Sequence, residues 1–600
     1  MEELPKWLDN RYWILFDAFG RETFKHEDAV RVLVEKNQDK PREAPVFIAK
    51  LREAGYLATE ISQKDKGQKL YRLVSRTDMI KEVLNLKDGT LNRKDIDTLL
   101  KKAADLIRTR VDYKFILILL FMKRISDKWQ QEYEQAYKDA LEDGFSEKEA
   151  ETEAKSQAYH DFNLPDEYTW ENMRKDVERL PENFSKALKA VAEKNPELKD
   201  VVDSVDFIQF TSSTENAEIL RQLVELFSER RLRNVSTDIL GDSYEWIIRY
   251  FAPTKAKEGE IYTPREVVKL LIEVLDPKPE ESVYDPACGS AGMLIESYLH
   301  VKAKHGVKGV QKLFLYGQEV NQKTIALAKM NCYIHDIRDS NLMFGDTFLY
   351  PKFKEGDSLR KFDVVIANPP WNQDGYGEDK LKKAEFWKQR FEFGVVPQQS
   401  ADWAWIQHML YSANDKNGRV GIVIDNGALF RGGKEGAIRS KILERDLIEC
   451  VILLPEKLFY NTGAPGAILI LNKNKAKERK DKILFINASE QFEQHPEIRK
   501  LNRLSESNIE AIAKRYKSFG EDDGFAKAVS LSKVRENDYN LNVPLYVAPE
   551  NEEEAIDIAS EFSQLEAIEA ERKKYLEHIR SYVSDLTHIN ECDLDVLQGK

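Results

Sequence analysis

The 600-residue sequence has little cysteine, little histidine and no long apolar run. Its four cysteines, Cys288, Cys332, Cys450 and Cys592, lie far apart and form no Cys-x-x-Cys pair. That spacing argues against a disulfide frame or a zinc site and for a reducing cytoplasm. The nine histidines form no ligand-spaced cluster, so no metal is expected. The longest strongly apolar run, residues 115–122, falls far short of the roughly 20 residues that cross a bilayer and reads as a buried helix. Met1-Glu2-Glu3-Leu4-Pro5 opens no signal-peptide pattern, so no membrane partner is expected. Positive charge is also in deficit: 91 Lys and Arg face 104 Asp and Glu, a net charge of −13. This argues against the whole chain being a simple electrostatic binder of nucleic acid; a local basic face or a partner protein would have to supply much of any such affinity. What is present is 42% hydrophobic and 32% charged residues, a globular composition with ample core and, at this length, about three or four domains.

One stretch organises the rest: Phe362-Asp363-Val364-Val365-Ile366-Ala367-Asn368-Pro369-Pro370-Trp371. Its first half reads as a buried strand. The two prolines lack N–H donors and cannot continue a ladder, so the strand ends at Asn368 and presents a rigid turn at its carboxyl edge. That edge is where open α/β sheets bind ligands. The turn suits methylation of an exocyclic amine, a poor nucleophile whose lone pair is delocalised into its ring. The Asn368 side-chain oxygen and the Pro369 carbonyl are acceptors that favour the pyramidal amine and receive its developing positive charge. Trp371 offers a flat face for an extruded base. Taken alone, the same residues also describe an ordinary Pro-Pro turn after a strand.

Residues 1–80 read as three helices, the third starting at Pro41, followed by a hairpin around Lys64-Asp65-Lys66-Gly67. This is a winged-helix-like unit. Arg42, Lys50, Arg52, Lys64, Lys66, Lys69 and Arg72 are placed either to meet phosphates or simply to solvate a protein-binding module. Residues 90–250 are helical throughout and carry no catalytic spacing. The composition changes near Gly259. Thr263 as N-cap, Pro264 at N1 and Glu266 at N3 spell a capping box, whose helix N-terminus suits a carboxylate. The strand Ser282-Val283-Tyr284 then runs into Asp285-Pro286-Ala287-Cys288-Gly289-Ser290-Ala291-Gly292. The glycines let a ligand approach the backbone, and Asp285 can accept from an ammonium. The turn is neither the dinucleotide Gly-x-Gly-x-x-Gly nor a phosphate-binding loop ending Gly-Lys-Ser/Thr. Glu319 ends a second strand, where an acid takes ribose hydroxyls. Asp346 ends a third, as a partner for an adenine amino group or as a turn aspartate. Asn368 ends the fourth.

This succession resembles the S-adenosylmethionine-dependent amino-methyltransferases of DNA and, more narrowly, the modification (M) subunit of type I restriction–modification systems. The residues that carry the resemblance are Glu260-Ile261-Tyr262-Thr263-Pro264-Arg265, Asp285-Pro286-Ala287-Cys288-Gly289, Gly317-Gln318-Glu319 and Asn368-Pro369-Pro370-Trp371. Residues 418–433 and 448–471 extend it, and it spans roughly residues 90–590. One position departs: adenine-N6 enzymes more usually carry Tyr or Phe where Trp371 stands, and Trp is common in cytosine-N4 enzymes, which usually begin with Ser. The resemblance implies an α/β, Rossmann-like methyltransferase sheet with an N-terminal helical domain, a winged-helix-like extension and a helical C-terminal tail. It implies a catalytic turn of Asn368, Pro369, Pro370 and Trp371. The S-adenosyl-L-methionine cleft would be formed by Tyr262, Thr263, Pro264, Asp285, Gly289, Ser290, Gly292, Glu319 and Asp346. Its partners would be a specificity (S) subunit, a second copy of M in an M2S1 complex, a restriction (R) subunit and double-stranded DNA. A protein-glutamine N5 methyltransferase and a non-catalytic scaffold are the alternatives. The expected divisions are 1–80, 90–250, a catalytic domain over 251–490 and a C-terminal region over 491–600. That region ends in a helix whose stripe of Phe562, Leu565, Leu576, Ile579 and Val583 suits a partner helix or its own core. Lys380, Lys382 and Lys383 lie in a loop after the catalytic turn, either solvated or closing over the base, and Asn426 and Arg431 are further pocket candidates.

Overall fold

The computed structural model describes residues 5–20, 22–54, 56–61, 69–74, 93–107, 112–176, 179–195, 198, 202, 207, 214–229, 231–232, 235, 237–256, 263–460, 462–496, 498–548 and 558–584. The N-terminal unit is three helices, α1 (Lys6–Phe19), α2 (His26–Asn37) and α3 (Ala44–Glu53), then the antiparallel pair β1 (Leu57–Ile61) and β2 (Lys69–Leu73). A bridge from Phe24 to Tyr71 ties the α1–α2 connection to the hairpin. Tyr12, Leu33, Ile48, Leu51 and Leu73 form its core. The third helix does not begin at Pro41. Pro45 fills its first turn and Pro41 sits in the turn before it; both prolines have the fixed φ of a first turn, and the apolar periodicity starts only at Ala44. Lys64 and Lys66, with the expected hairpin turn, lie outside the described residues.

The helical region contains α4 (Arg93–Ile107), α5 (Lys114–Glu142), α6 (Leu180–Lys194), α7 (Thr214–Ser228) and α8 (Thr237–Ala256). The apolar run 115–122 lies inside α5 and is buried on every side. A charged pair, Lys123 and Asp127 at 2.6 Å, is buried with it, and the second Asp127 oxygen accepts from Leu232 N at 2.7 Å. A buried pair is tolerable only when its remaining valences are satisfied in this way.

Beyond α8 come α9 (Arg265–Leu275), β3 (Ser282–Asp285), α10 (Gly292–Val310), β4 (Phe314–Glu319), α11 (Gln322–Ile334), β5 (Ser340–Phe344), β6 (Val364–Ala367), α12 (Asp402–Ser412), β7 (Arg419–Asp425), α13 (Gly433–Glu444), β8 (Ile448–Leu453), β9 (Gly466–Asn472), β10 (Lys482–Asn487), α14 (Glu506–Ser518) and β11 (Ala526–Ser530). The nine strands β3 to β11 form one sheet in the order β11-β10-β8-β9-β7-β6-β3-β4-β5. Only β9 and β11 run against the rest. Every residue of β6 is buried, and its side chains alternate: Val364 and Ile366 join the core under α9, α10 and α14, while Val365 and Ala367 join the core under α12 and α13. The sheet is therefore a middle layer covered on both faces, which is why its central strands read as continuous apolar runs.

The sheet does not end at residue 490. β11 pairs with β10, and Leu541, Val543 and Val547 lie in the same core. A short, charged edge strand carries too weak an alternation to stand out in sequence. The last helix, α15 (Ile558–Ser584), leaves Phe562, Leu565 and Ile579 of the expected stripe exposed, with Ile568, Tyr575 and Tyr582, and Leu576 half-buried, and none of them joins a core of the protein; the Val583 side chain lies outside the described residues. Among the described residues no helix is long and apolar enough to cross a membrane.

The helical region and the sheet share buried surface. Leu327, Met330 and Ile334 of α11 belong to the helical core. Gly241 of α8 presses on His335, whose ring would lie 2.1 Å from a Cβ at that position. Arg265, the first residue of α9, bonds Asp242 of α8 at 2.6 Å and faces Glu245 and Glu296 at 3.7 and 3.6 Å. Burial alone would lower the Arg265 pKa, but the three carboxylates raise it above its ordinary value.

Candidate active site

The strand order reverses between β3 and β6, and the crevice outside their carboxyl ends is the expected ligand site of such a sheet. Thr263, Asp285, Gly289, Ser290, Gly292 and Asn368 line one cleft there, with Arg265 and Glu296. Open space stands where side chains at Gly289 and Gly292 would lie, since a Cβ at either meets nothing within 4 Å. Gly289 has φ +51°, in the left-handed region that glycine favours.

Asp285 is 2% exposed, and its Oδ1 accepts from Ala287 N at 3.0 Å. Burial pushes its carboxyl up to about 8, against the pull of that N–H and with a further push from Glu319. A buried acid that holds its proton at neutral pH is poised to pair with a cation, which would favour the ionised form. Binding of a zwitterionic ligand through its ammonium is therefore expected to release about one proton near pH 7 and progressively less above pH 8, where Asp285 is already ionised. Calorimetry of ligand binding in buffers of different ionisation enthalpy reads this directly.

The other strand ends connect to the same loop. Glu319 Oε2 accepts from Gly289 N at 3.1 Å and its Oε1 from Asn321 N at 2.8 Å. Asp346 is held as a turn aspartate: Oδ1 accepts from Phe348 N and Leu349 N, and Oδ2 from the Tyr376 hydroxyl at 2.8 Å. The Asp346 loop meets the Asp285 loop where the Thr347 hydroxyl donates to Pro286 O at 2.6 Å. Glu319 and Asp346 thus sit beside the cleft and do not line it. Tyr262 lies outside the described residues. Lys380 stands over the Tyr376 ring at 3.8 Å, so part of the loop after Trp371 folds back toward Asp346.

The expected capping box is not formed. Pro264, not Thr263, is the N-cap of α9, and no side chain caps that helix. The Thr263 hydroxyl instead accepts from Asn368 Nδ2 at 2.8 Å. A tertiary bond to a buried amide has replaced a local cap, which is typically worth about 1 kcal/mol.

The Asn368–Trp371 turn is anchored at both sides. Asn368 Oδ1 accepts from Trp371 Nε1 at 2.9 Å, and the Trp371 ring meets Phe459 edge-on at 4.7 Å. Asn372, at φ +50°, donates its N–H to Asp402 Oδ1 at 2.9 Å. Arg431 bonds Asn372, Asp402, Asp425 and Glu435, so it braces the turn from outside the cleft. Asn426, at the carboxyl end of β7, keeps a buried Oδ1 without a hydrogen-bond partner among the described residues. Pro369 is buried and Pro370 half-buried behind Asn368.

Two residues of this site escape sequence reasoning. Phe459 backs Trp371, and Gly466 opens β9 directly beneath both rings: a Cβ there would lie 2.9 Å from Trp371 Cη2 and 2.8 Å from Phe459 Cε2. A glycine at the start of an apolar strand is the one signal that hints at such an approach. Gly466→Ala is expected to displace the Trp371 ring and lower methyl transfer about tenfold while leaving cofactor binding in place. Parallel measurements of turnover and of ligand affinity check this.

A largely parallel sheet with two reversed strands, and a cleft at its switch point lined by Asp285 and Asn368 with Glu319 beside it, is the architecture of an S-adenosylmethionine-dependent methyltransferase. Comparison with known proteins narrows the class. A family model described as N-6 DNA Methylase matches residues 235–555, and one described as HsdM N-terminal domain matches residues 96–227. The type I restriction enzyme MjaVIII methylase subunit of Methanocaldococcus jannaschii is 43% identical over 593 residues, covering 97% of this chain and 98% of that protein. The MjaVII methylase subunit of the same organism is 42% identical over 596 residues, again covering 97% and 98%. The crystal structure of the type I restriction-modification methyltransferase subunit from Streptococcus thermophilus aligns with a TM-score of 0.66 at 26% identity, covering 76% of this chain and all of that one. The chain belongs to the family of type I restriction enzyme methylase subunits. It is a DNA adenine methyltransferase that uses S-adenosylmethionine and works in complex with other subunits. The family resolves the ambiguity of Trp371 in favour of adenine.

Proposed function

We propose that Asn368, Pro369, Pro370 and Trp371 hold the target adenine and that the cleft beside them holds the cofactor. The observation that carries this reading is that Asn368 lines the same cleft as Thr263, Asp285, Gly289, Ser290 and Gly292. S-adenosylmethionine, when bound, supplies an activated methyl group. The residues present suit it: Asp285 for the ammonium, Thr263 beside Pro264 for the carboxylate, Gly289, Ser290 and Gly292 for close backbone approach, Glu319 for the ribose and Asp346 for the adenine ring; Tyr262, next to Thr263 in sequence, is a further candidate. Asn368 Oδ1 and the Pro369 carbonyl accept from the N6 amine of the target, sharpen its lone pair and receive positive charge as the amine reacts. Trp371 stacks on the extruded base.

The acidic net charge supports a division of labour in which a separate specificity subunit reads double-stranded DNA for two copies of this chain, as M2S1, with a restriction subunit as a further partner. The bare apolar stripe of α15 supports docking to such a partner. The winged-helix-like unit, the helical region, the catalytic sheet and the C-terminal helix are the four functional divisions, and the cytoplasm, where DNA and reduced thiols coexist, is the site of action. The test is incubation of the chain, with and without the specificity subunit, with methyl-labelled cofactor and duplex DNA, followed by digestion. Labelled N6-methyladenine that depends on the partner is the expected product; label in protein alone, or none under any condition, refutes the proposal.

A further inference from the structure

Asparagine has two ends that differ in chemistry, and only its oxygen can accept from an amine. Two neighbours decide which way the Asn368 amide points. The indole N–H of Trp371 is solely a donor, so the end it meets at 2.9 Å is Oδ1. The opposite end, Nδ2, then donates to Thr263 Oγ1 at 2.8 Å. Phe or Tyr at position 371 has a stacking face but no ring N–H to offer, so the indole performs a task that the other aromatics of such a turn do not. Oδ1 keeps a second lone pair for the target amine.

Thr263 adds a second consequence. A hydroxyl accepts and donates at once. While its oxygen accepts from Asn368, its hydrogen is free to turn toward an acceptor in the cleft that Thr263 and Asn368 both line. The N-cap role that would otherwise occupy this side chain is absent, because no side chain caps α9. A carboxylate in the cleft fixes the hydroxyl rotor by a charge-assisted bond and strengthens the bond from Nδ2 behind it.

We propose that Thr263 and the indole N–H of Trp371 are positioning groups that fix which end of the Asn368 amide faces the target amine, and that Thr263 ties this orientation to occupancy of the cofactor cleft. The proposal rests on the assignment of Asn368 to the target amine. It couples the two sites through side-chain chemistry: a carboxylate in the cofactor cleft favours the amide orientation that the target amine needs.

The experiment compares Thr263→Val, Thr263→Ser, Trp371→Phe and Asn368→Ala in the complex with the specificity subunit. With 15N-labelled indole groups each of the nine tryptophans gives a signal, and the one lost in Trp371→Phe belongs to Trp371. Adding S-adenosylhomocysteine, which keeps the carboxylate, is expected to shift that signal in the wild type and in Thr263→Ser but not in Thr263→Val. In turnover, Thr263→Val is expected to lower kcat about tenfold with the KM for DNA little changed, and Thr263→Ser to recover most of that loss. An equal shift of the Trp371 signal in Thr263→Val overturns the proposal. So does weaker S-adenosylhomocysteine binding in that variant with kcat intact, which makes Thr263 a cofactor ligand alone. Asn368→Ala separates the two levels: full activity there removes the underlying assignment, whereas an inactive Asn368→Ala beside a fully active Thr263→Val removes only the positioning role.

Discussion

Asn368→Ala is expected to lower methyl transfer by about 10³-fold while the protein stays folded and binds S-adenosylmethionine with nearly wild-type affinity. The large effect follows from chemistry. An exocyclic amine becomes a nucleophile only as its nitrogen pyramidalises, and the charge it gains must meet an acceptor already aimed at it. Removing one such preorganised group typically costs 10²- to 10³-fold in turnover. The small effect on folding follows from place. Asn368 is 9% exposed at the edge of a cleft and makes two side-chain bonds, with Thr263 and Trp371. Both partners border space that water can enter, so neither is left stranded, and about 1–2 kcal/mol of stability is the expected loss. On the assignment proposed above, cofactor affinity rests mainly on Asp285 and the Gly289 loop at the end of the neighbouring strand, which the substitution does not touch, and only secondarily on Thr263. Single-turnover incorporation of labelled methyl into DNA, with calorimetric titration of cofactor, separates the two quantities. Wild-type transfer in the variant removes Asn368 from the mechanism.

The strand ends were legible in sequence because each is a short apolar run that gives way to a polar residue beside Gly or Pro. At Asp285 and Asn368 a proline follows, and at Glu319 and Asp346 a glycine precedes, at 317 and 345; chain order alone does not show that β6 lies beside β3. What stayed hidden were bonds between residues far apart in the chain. Thr263 and Asn368 are 105 positions apart. Read locally, Thr-Pro-x-Glu is a good capping box; nothing in those residues announces the amide that takes the threonine away. Arg265 looks like an ordinary first-turn residue, yet it joins α9 to α8 through acids at 242 and 245 and to α10 through the acid at 296. Gly466 shows only that something comes close. That the close neighbours are Trp371 and Phe459 is a property of the finished sheet, in which β9 lies two strands from β6. The ninth strand escaped for another reason: an edge strand is half solvated, and its alternation drowns in the surrounding charge.

Arg390→Met is expected to be the most destabilising single change in the catalytic region. Arg390 is 1% exposed and forms no salt bridge among the described residues. Its Nη1 donates to Phe348 O at 2.6 Å and Glu385 O at 3.1 Å, and its Nη2 to Thr347 O at 2.9 Å. Nη2 and Nε also meet His408 Nδ1 at 2.9 and 3.2 Å. Burial drives the His408 pKa well below its ordinary value, and the Arg390 charge drives it further, so the ring is neutral and Nδ1 accepts. Burial likewise lowers Arg390 to about 10, which still leaves it charged at neutral pH. Methionine fills much of the same volume but donates nothing, and three carbonyls, the Glu385 one only part-buried, and one buried imidazole nitrogen lose their partner. At about 1–3 kcal/mol for each stranded acceptor, less the relief of no longer burying a charge, the net cost is about 4 kcal/mol. The damage also has a direction. Thr347 and Phe348 follow Asp346 in the loop proposed to meet the cofactor's adenine, and Arg390 holds their carbonyls while Asp346 holds the N–H groups of Phe348 and Leu349. Losing one half of that clamp should weaken cofactor binding severalfold even at temperatures where the sheet is intact. Arg390→Lys should rescue little, because one ammonium cannot span four acceptors that a planar guanidinium reaches together. Thermal unfolding with and without S-adenosylhomocysteine measures both effects, and unchanged unfolding together with unchanged affinity in Arg390→Met would show that the clamp carries no weight.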